Sequence, residues 1–374
     1  MNGEKTDSGI PYLPEGIITN ILKRLPVKSL IRFRSVCDLW KNIINSPSFI
    51  TDHLNYSNHQ SSSLIAARDG TLIQYSLDRD KGLREVQVGL PIDSDRPHRI
   101  VGSCNGLVCL QSIGRLDTLS IWNPAIREVM RVPATRTGII LCLLGFGYSP
   151  FVNDYKIVVT YETWGTAVSG VEVYSLATNS WKNIESSCLD VICGFSVSLN
   201  VNGSIFWLPR KTGLGRSRVI FSFDLALEEI KLIATPPLSR DEEPKLIVYE
   251  NRPALLYSRI ARNSGNSTID LWVIEEGIGA FWSKKFTFGP YPYSIHPCTI
   301  CRNQIVCTGV MYCSKVQHKE EGVGDSGIKV DRCTFFINLA SKDIKVLDES
   351  RYGYSGRHSF EYVESLLSPS NIQL

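Results

Sequence analysis

The sequence predicts a mainly β protein with a small α-helical N-terminal domain, namely three helices followed by a six-bladed β-propeller. Three observations lead to this prediction. Apolar residues have helical spacing in the first part of the chain and strand-like spacing from about residue 62 onward. Short β-rich runs then alternate with turns that are rich in Gly, Asn, Pro and Asp. A weak repeat of four such runs recurs with a period of roughly 50 residues.

The N-terminal residues 1–10 are polar and are predicted to be a disordered tail, and residues 11–54 to be a helical domain. Pro14 stands where a first helix would begin, and Glu15 places a negative charge in its first turn. Pro26 ends this helix, because proline lacks the N–H that the next turn needs.

Two further helices are predicted after Pro26. One spans residues 28–34. The other begins near Ser35, because Ser35 and Asp38 have the spacing of a capping box, and it ends at Ser46-Pro47. Residues 55–61 are polar and are predicted to be a linker, which leaves residues 62–374 for the propeller.

The predicted helices carry more apolar residues than a unit of roughly 40 residues can bury, so part of their surface must be covered by another protein or by the rest of the chain. Their sequence resembles an F-box. The resemblance is carried by Leu13-Pro14, Ile21-Leu22, the run RLPVKSL (24–30), the run RFRSVC (32–37) and Trp40.

The resemblance implies that these helices bind a Skp-type adaptor, which joins them to a cullin and a RING protein in a ubiquitin ligase. By resemblance, ten residues occupy adaptor-contacting or supporting positions: Leu13, Pro14, Ile17, Ile21, Leu22, Pro26, Leu30, Val36, Cys37 and Trp40.

Composition excludes several other classes of protein. The chain has 374 residues, 43% hydrophobic and 21% charged, with a net charge of +3. This near balance argues against binding nucleic acid through general charge. No apolar run approaches the roughly 18 residues of a membrane span. The eleven cysteines are scattered along the chain, which is typical of buried thiols in a reducing compartment, so we expect the cytosol or the nucleus.

The repeat accounts for nearly all of the second part of the chain. Five copies of four β-rich runs cover residues 100–349, and three runs precede them. We predict that residues 358–365 supply the missing strand of the first blade and close the ring, since closure removes exposed sheet edges. The copies show no sharp shared motif. Two β-sandwich domains are the alternative that the same strand spacing permits.

The phrases GSCNGLVCL, IWNPAIRE, GFGYSPFVNDYKIV, VEVYSLATNSWK and YVESLLSP are similar to the F-box-associated interaction domain of plant F-box proteins, many of which are described as kelch-like. The resemblance thus covers nearly the whole chain. Trp122, Trp181 and Trp282 recur near turns between third and fourth strands and are predicted to pack between blades.

The sequence offers one cysteine cluster that could suggest zinc, in which His296, Cys298 and Cys301 precede Cys307 and Cys313. Its spacing suits strand faces better than tetrahedral ligation. No HExxH, phosphate loop or GxSxG motif is present. We therefore predict no metal site, no cofactor and no catalytic residue.

Long segments join second to third strands and one blade to the next, and in a propeller both classes emerge on one face. Long loops on a rigid scaffold usually carry recognition. We predict that this face binds a target protein, through basic residues in its loops: Arg210, Lys211, Arg216, Arg218, Arg262, Lys319, Arg351 and Arg357.

The sequence therefore favours a substrate-recognition subunit of an SCF-type ubiquitin ligase, which leads a bound target to ubiquitination and proteasomal degradation. An F-box scaffold without a role in degradation is one alternative. A propeller hydrolase is the other, and it requires a concave pocket with perturbed acidic residues.

Overall fold

The structure is a computed structural model. It describes residues 13–60, 63–68, 71–78, 82–89, 97–113, 118–135, 140–162, 168–184, 198–208, 219–237, 244–261, 265–275, 281–313, 329–348 and 359–372. Within these residues, helices are followed by six four-stranded antiparallel sheets. The prediction of a mainly β chain with a helical N-terminal region and a six-bladed propeller is confirmed.

The helical region consists of α1 (Glu15–Lys23), α2 (Val27–Phe33), α3 (Asp38–Asn45) and α4 (Pro47–Gln60). The prediction of three helices is therefore wrong, and so is the linker, because residues 55–60 belong to α4. Pro47 begins this helix. Proline suits that position, where the missing N–H would have had no partner within the helix. The N–H of Phe49, which also lies in the first turn of α4, donates to Ser46 Oγ at 3.3 Å.

The capping box predicted at Ser35 is also wrong. Ser35 Oγ donates to the Arg32 carbonyl at 2.7 Å, so it closes the end of α2. Cys37 precedes α3 in an extended conformation and makes no side-chain cap, while Asp38 lies in the first turn, where its charge suits the helix dipole.

His53 fastens α4 to the connection between α1 and α2. Its Nε2–H donates to the Leu25 carbonyl at 2.9 Å, and the ring is 2% exposed. The buried Nδ1 has no hydrogen-bond partner among the described residues. Burial lowers the pKa of His53, against a smaller raising effect of the bond to Leu25. The imidazole of the folded protein is therefore neutral at pH 7.

We expect the wild type to lose stability relative to His53→Gln as pH falls below the unfolded-state pKa of about 6.5. The native pKa is the lower one, so the unfolded chain takes up the proton first. The free energy of unfolding can fall by at most about 1.4 kcal/mol per pH unit, which is the slope for one proton taken up on unfolding. The glutamine side chain of the variant keeps a donor toward Leu25 and does not titrate. Urea unfolding of both proteins at pH 7 and pH 5 measures the difference; identical pH slopes would contradict it.

The sheets are described from the centre of the propeller outward. Blade 1 consists of β24 (Ser359–Tyr362), β1 (Ser63–Arg68), β2 (Thr71–Asp78) and β3 (Gly82–Val88). Blade 2 consists of β4 (His98–Cys104), β5 (Leu107–Ser112), β6 (Leu119–Asn123) and β7 (Glu128–Arg131). Blade 3 consists of β8 (Ile140–Ser149), β9 (Asp154–Glu162), β10 (Val168–Ser175) and β11 (Ser180–Ile184).

The remaining three blades follow the same order. Blade 4 consists of β12 (Ser198–Val201), β13 (Ser204–Trp207), β14 (Val219–Asp224) and β15 (Glu229–Ala234). Blade 5 consists of β16 (Lys245–Tyr249), β17 (Arg252–Ile260), β18 (Ser267–Glu275) and β19 (Phe281–Tyr291). Blade 6 consists of β20 (Ser294–Cys301), β21 (Gln304–Cys313), β22 (Lys329–Asn338) and β23 (Ile344–Asp348).

The ring closes between the two ends of the propeller. β24 pairs antiparallel with β1 from Ser63–Tyr362 to Ala66–Ser359. Each inner strand also contacts the inner strands of both neighbouring blades, from β24 through β4, β8, β12, β16 and β20 back to β24. This continuous ring shows that the alternative of two β-sandwich domains is wrong.

Four blades share a turn between their third and fourth strands that the sequence analysis missed. Each turn has Asn, Ser or Asp, then Pro or Leu, then Ala, and it begins at Asn123, Ser175, Asp224 or Asn338. The first residue's side chain accepts backbone N–H groups within the turn. The fifth residue has a positive φ in all four turns. This polar-x-Ala pattern is a repeat signature, because it occurs in every turn between third and fourth strands that the structure describes.

The three predicted tryptophans lie between blades. Trp122 is fully buried in a cluster that joins blades 1 and 2. The indole N–H groups of Trp181 and Trp282 donate to the carbonyls of Pro133 and Ala234 at 2.8 and 2.7 Å, which ties each outer strand to the preceding blade.

The short turns of the blades define one face of the propeller, here called the tight-turn face. It contains the turns between first and second strands and between third and fourth strands. The helical region lies on this face, since Ala125 and Ile126 of a blade 2 turn pack against its core. The long connections leave from the opposite face, here called the long-loop face.

Candidate functional site

The helical region exposes four large apolar side chains that we together call the apolar face: Leu13, Ile17 and Ile21, which have helical spacing, and Val36, which follows α2. These side chains are 51%, 48%, 49% and 59% exposed. Helical geometry separates them from Ile18 and Leu22, which point inward and are buried in the helical core. Burial of large apolar side chains is favourable, so the exposure of four of them within one small helical region indicates a surface that another protein covers.

The remaining residues of the predicted adaptor set fall into two groups. Pro14, Pro26 and Cys37 are exposed, and Trp40 is half-buried against Phe33 with ring centroids 5.2 Å apart. Leu22 and Leu30 are 1% and 0% exposed. These two leucines support the apolar face from inside and cannot contact an adaptor directly.

Charge in the stretch that contains α1, α2 and α3 is unbalanced. Between residues 13 and 46 the acidic residues are Glu15 and Asp38. The basic residues in the same stretch are more numerous: Lys23, Arg24, Lys28, Arg32, Arg34 and Lys41. A partner surface with acidic residues at its margin would complement this excess.

All eight residues predicted to bind a target lie outside the described residues, so their prediction stays untested: Arg210, Lys211, Arg216, Arg218, Arg262, Lys319, Arg351 and Arg357. The described strands fix the point from which their loops leave. For example, β13 ends at Trp207 and β14 begins at Val219, both on the long-loop face. That face lies opposite the helical region.

A cavity of about 370 Å³ lies in the central channel, toward the tight-turn face, with Asn58 of α4 at its edge. Its amide groups are largely paired within the protein. Asn200 Oδ1, for instance, lies 3.3 Å from both Cys104 Sγ and the Tyr148 N–H. Glu361 is the only acidic side chain among the described residues that line it. The described lining of this cavity thus has no pair of carboxylates of the kind that a glycoside hydrolase uses.

The propeller cysteines whose side chains the structure describes show no features of nucleophiles or metal ligands. Burial raises the pKa of Cys104 to about 12, so its thiol stays protonated. Cys298 and Cys301 pack between blades 6 and 1, whereas Cys307 packs in a separate cluster with blade 5. Within the described part of the chain, no three His, Cys, Asp or Glu residues are grouped as a metal site requires.

The described helices include none that is long and apolar enough to cross a membrane.

Comparison with known families agrees with the architecture. Residues 64–345 match the F-box associated beta propeller domain, and residues 10–52 match the F-box domain. The chain is an F-box protein. The propeller family that matches is the F-box associated one and is not kelch, so the description as kelch-like is not supported.

Two relatives of this F-box protein are found in Arabidopsis thaliana. F-box protein CPR1 is 29% identical over 306 residues, which is 74% of this chain and 72% of that protein. F-box protein At2g21930 is 29% identical over 328 residues, covering 78% and 77% of the two chains. Among solved structures, the tricorn protease aligns over 77% of this chain and 30% of its own, with 11% identity and a TM-score of 0.36. F-box domains generally bind Skp-type adaptors in SCF complexes.

Proposed function

We propose that this F-box protein is the substrate-recognition subunit of an SCF-type ubiquitin ligase in the cytosol or nucleus. The helical region binds a Skp-type adaptor and, through it, cullin and RING subunits. The long-loop face of the propeller binds a target protein. Ubiquitination and proteasomal degradation of the target follow.

The apolar face carries this proposal. Four large apolar side chains, each about half exposed, lie on a helical region that matches the F-box domain. The rest of the described chain covers the other side of the same helices, through Leu366 and the blade 2 turn at Ala125 and Ile126, and leaves this side open. A surface that the described part of the propeller leaves uncovered is available to an adaptor.

The mechanism is proximity. A target held on the long-loop face and a ligase held on the helical region are joined by one folded chain. This joining raises the effective concentration of target lysines near the charged ubiquitin-conjugating enzyme without any catalytic residue from this chain.

The experiment compares two full-length baits in plant cells, the wild type and Ile17→Glu/Ile21→Glu. Deletion of the helical region is unsuitable as a test, because it would remove Leu54 from the core of blades 2 and 3 and uncover Leu366. A degradation target should be recovered in larger amounts with the variant bait than with the wild-type bait. When the proteasome is inhibited, its recovery with the wild-type bait should rise. Equal recovery on both baits without inhibitor would overturn the degradation role and favour a scaffold.

A further inference from the structure

The C-terminal segment Val363–Ser368 lies between the helical region and the propeller. It follows β24 directly, on the tight-turn face. Leu366 is 2% exposed and belongs to the helical core with Ile18 and Leu22. Leu367 is 9% exposed and belongs to the core of blades 2 and 3, together with Leu54 of α4. Two adjacent residues therefore anchor one segment in both parts of the protein.

Asn123, at the end of β6, holds this segment in place. Its Nδ2 donates to the carbonyls of Leu367 at 2.7 Å and Ser365 at 3.0 Å, and lies 3.2 Å from Ser365 Oγ. Its Oδ1 accepts the Ala125 N–H at 2.9 Å. Asn123 and Ser365 are both 0% exposed. The side-chain oxygen of Asn123 thus binds its own turn, and the side-chain nitrogen binds the C-terminal segment.

The turn before β5 approaches the segment from another side. Gly106 has a φ of +80°, and a Cβ at this position would lie 2.4 Å from Ser365 Oγ and 2.7 Å from the Val363 carbonyl oxygen. Only glycine permits this approach. Ser368 Oγ also donates to Glu128 at 2.5 Å, so the segment is bound to blade 2 at several points.

We propose that the segment 363–368 fixes the orientation of the apolar face relative to the propeller, with Asn123 as its positioning residue. The proposal rests on the proposed function in one respect: a fixed orientation determines which lysines of a propeller-bound protein, or of the propeller itself, can reach the ubiquitin-conjugating enzyme. A loose connection would let many lysines reach it in turn, whereas a fixed one selects a few.

The turn signature offers a matched pair of variants, Asn123→Asp and Asn338→Asp. Aspartate supports this turn, because Asp224 occupies the same position in blade 4 and accepts two N–H groups. Asn123→Asp keeps the turn acceptor and loses the donor to the segment. Asn338→Asp makes the same change in blade 6, where the side chain accepts the N–H groups of Ala340 and Ser341. Leu366→Ala tests the segment without introducing a charge.

The first measurement is lysine cross-linking of the full chain, read by mass spectrometry. We expect Asn123→Asp and Leu366→Ala to yield about twofold more cross-linked pairs between helical-region and propeller lysines, as a loosened contact predicts, and Asn338→Asp to match the wild type. An unchanged pattern in both segment variants would overturn the proposal. This measurement does not depend on ligase activity.

The second measurement is self-ubiquitination of the chain in a reconstituted ligase with purified adaptor, cullin and RING subunits. We expect the wild type to be modified on a restricted set of propeller lysines, and both segment variants on a wider set with unchanged adaptor affinity. If the same lysines were modified in the wild type and in both segment variants, the positioning role would be overturned, even if the cross-links differed. Absence of adaptor binding by the wild type would instead count against the proposed function, and the cross-linking result would still stand.

Discussion

A chain that ends at residue 358 is expected to lose cooperative folding. It lacks β24, which is the inner strand of blade 1, and with it the side chains of Phe360 and Tyr362. These are 5% and 1% exposed, in a cluster with Trp122 and other residues of blades 1 and 2. Losing a large buried aromatic costs roughly 3–5 kcal/mol, so the pair contributes roughly 6–10 kcal/mol. That is comparable to the whole stability of about 5–15 kcal/mol that folded proteins have.

Circular dichroism during thermal unfolding would measure this effect, with soluble yield as a second readout. A chain that ends at Ile372 is the control, since it keeps β24 and the segment 363–368, and it should unfold like the wild type. Phe360→Ala should give an intermediate loss of about 3–5 kcal/mol. Wild-type cooperativity in the chain that ends at residue 358 would mean that pairing of β24 with β1 does not hold the ring together.

The closure of the ring could be predicted from sequence because it is a matter of counting strands. Period-two apolar runs bounded by turn residues are local signals, and one missing strand in the first blade pointed to the run near Phe360 at the other end. The strand pairs with β1 in the structure. The turn signature that begins at Asn123 and Asn338 is further support for the blade count. It is difficult to recognise in the sequence, because it is short and consists of ordinary turn residues.

The fourth helix is not predicted when Pro47 is interpreted only as a helix stop. Proline is equally typical of the first position of a helix, and Ser46 before it is a typical cap. Phe49, His53 and Leu54 then follow at helical spacing and are buried. Polar residues between these three interrupt the apolar pattern of the helix. A short helix that packs on both a helical core and a propeller need not have one apolar side and one polar side.

The role of Leu366 could not be predicted locally. It stands in a short apolar run with no periodicity, and its burial depends on two surfaces that come together only after the ring has closed. The same holds for Asn123, which looks like an ordinary turn residue in the sequence. Its partners Ser365 and Leu367 lie more than 240 residues away. By contrast, helix spacing places Ile17 and Ile21 on one face, and the resemblance to an F-box implies that this face contacts an adaptor.

The double substitution Ile17→Glu/Ile21→Glu is expected to weaken binding of a purified Skp-type adaptor at least about 100-fold while the propeller stays folded. Both side chains are about half exposed in the free protein, at 48% and 49%, so the folded chain loses little by the change. Glutamate is also a slightly better helix former than isoleucine, and the two like charges one turn apart cost only about 0.2–0.5 kcal/mol. In a complex, each substitution removes an apolar contact and buries a carboxylate without a partner, which costs several kcal/mol in total.

Calorimetric titration of the adaptor into each protein measures the affinity, and thermal unfolding measures the fold. Leu232→Glu is the matched control, because Leu232 is 51% exposed on β15 of blade 4, and it should bind the adaptor like the wild type. Wild-type affinity in the folded double variant would contradict the role of the apolar face. Loss of binding in both variants would point to a general loss of fold. A loss confined to the double variant would locate the adaptor on the one side of the helices that the described chain leaves uncovered.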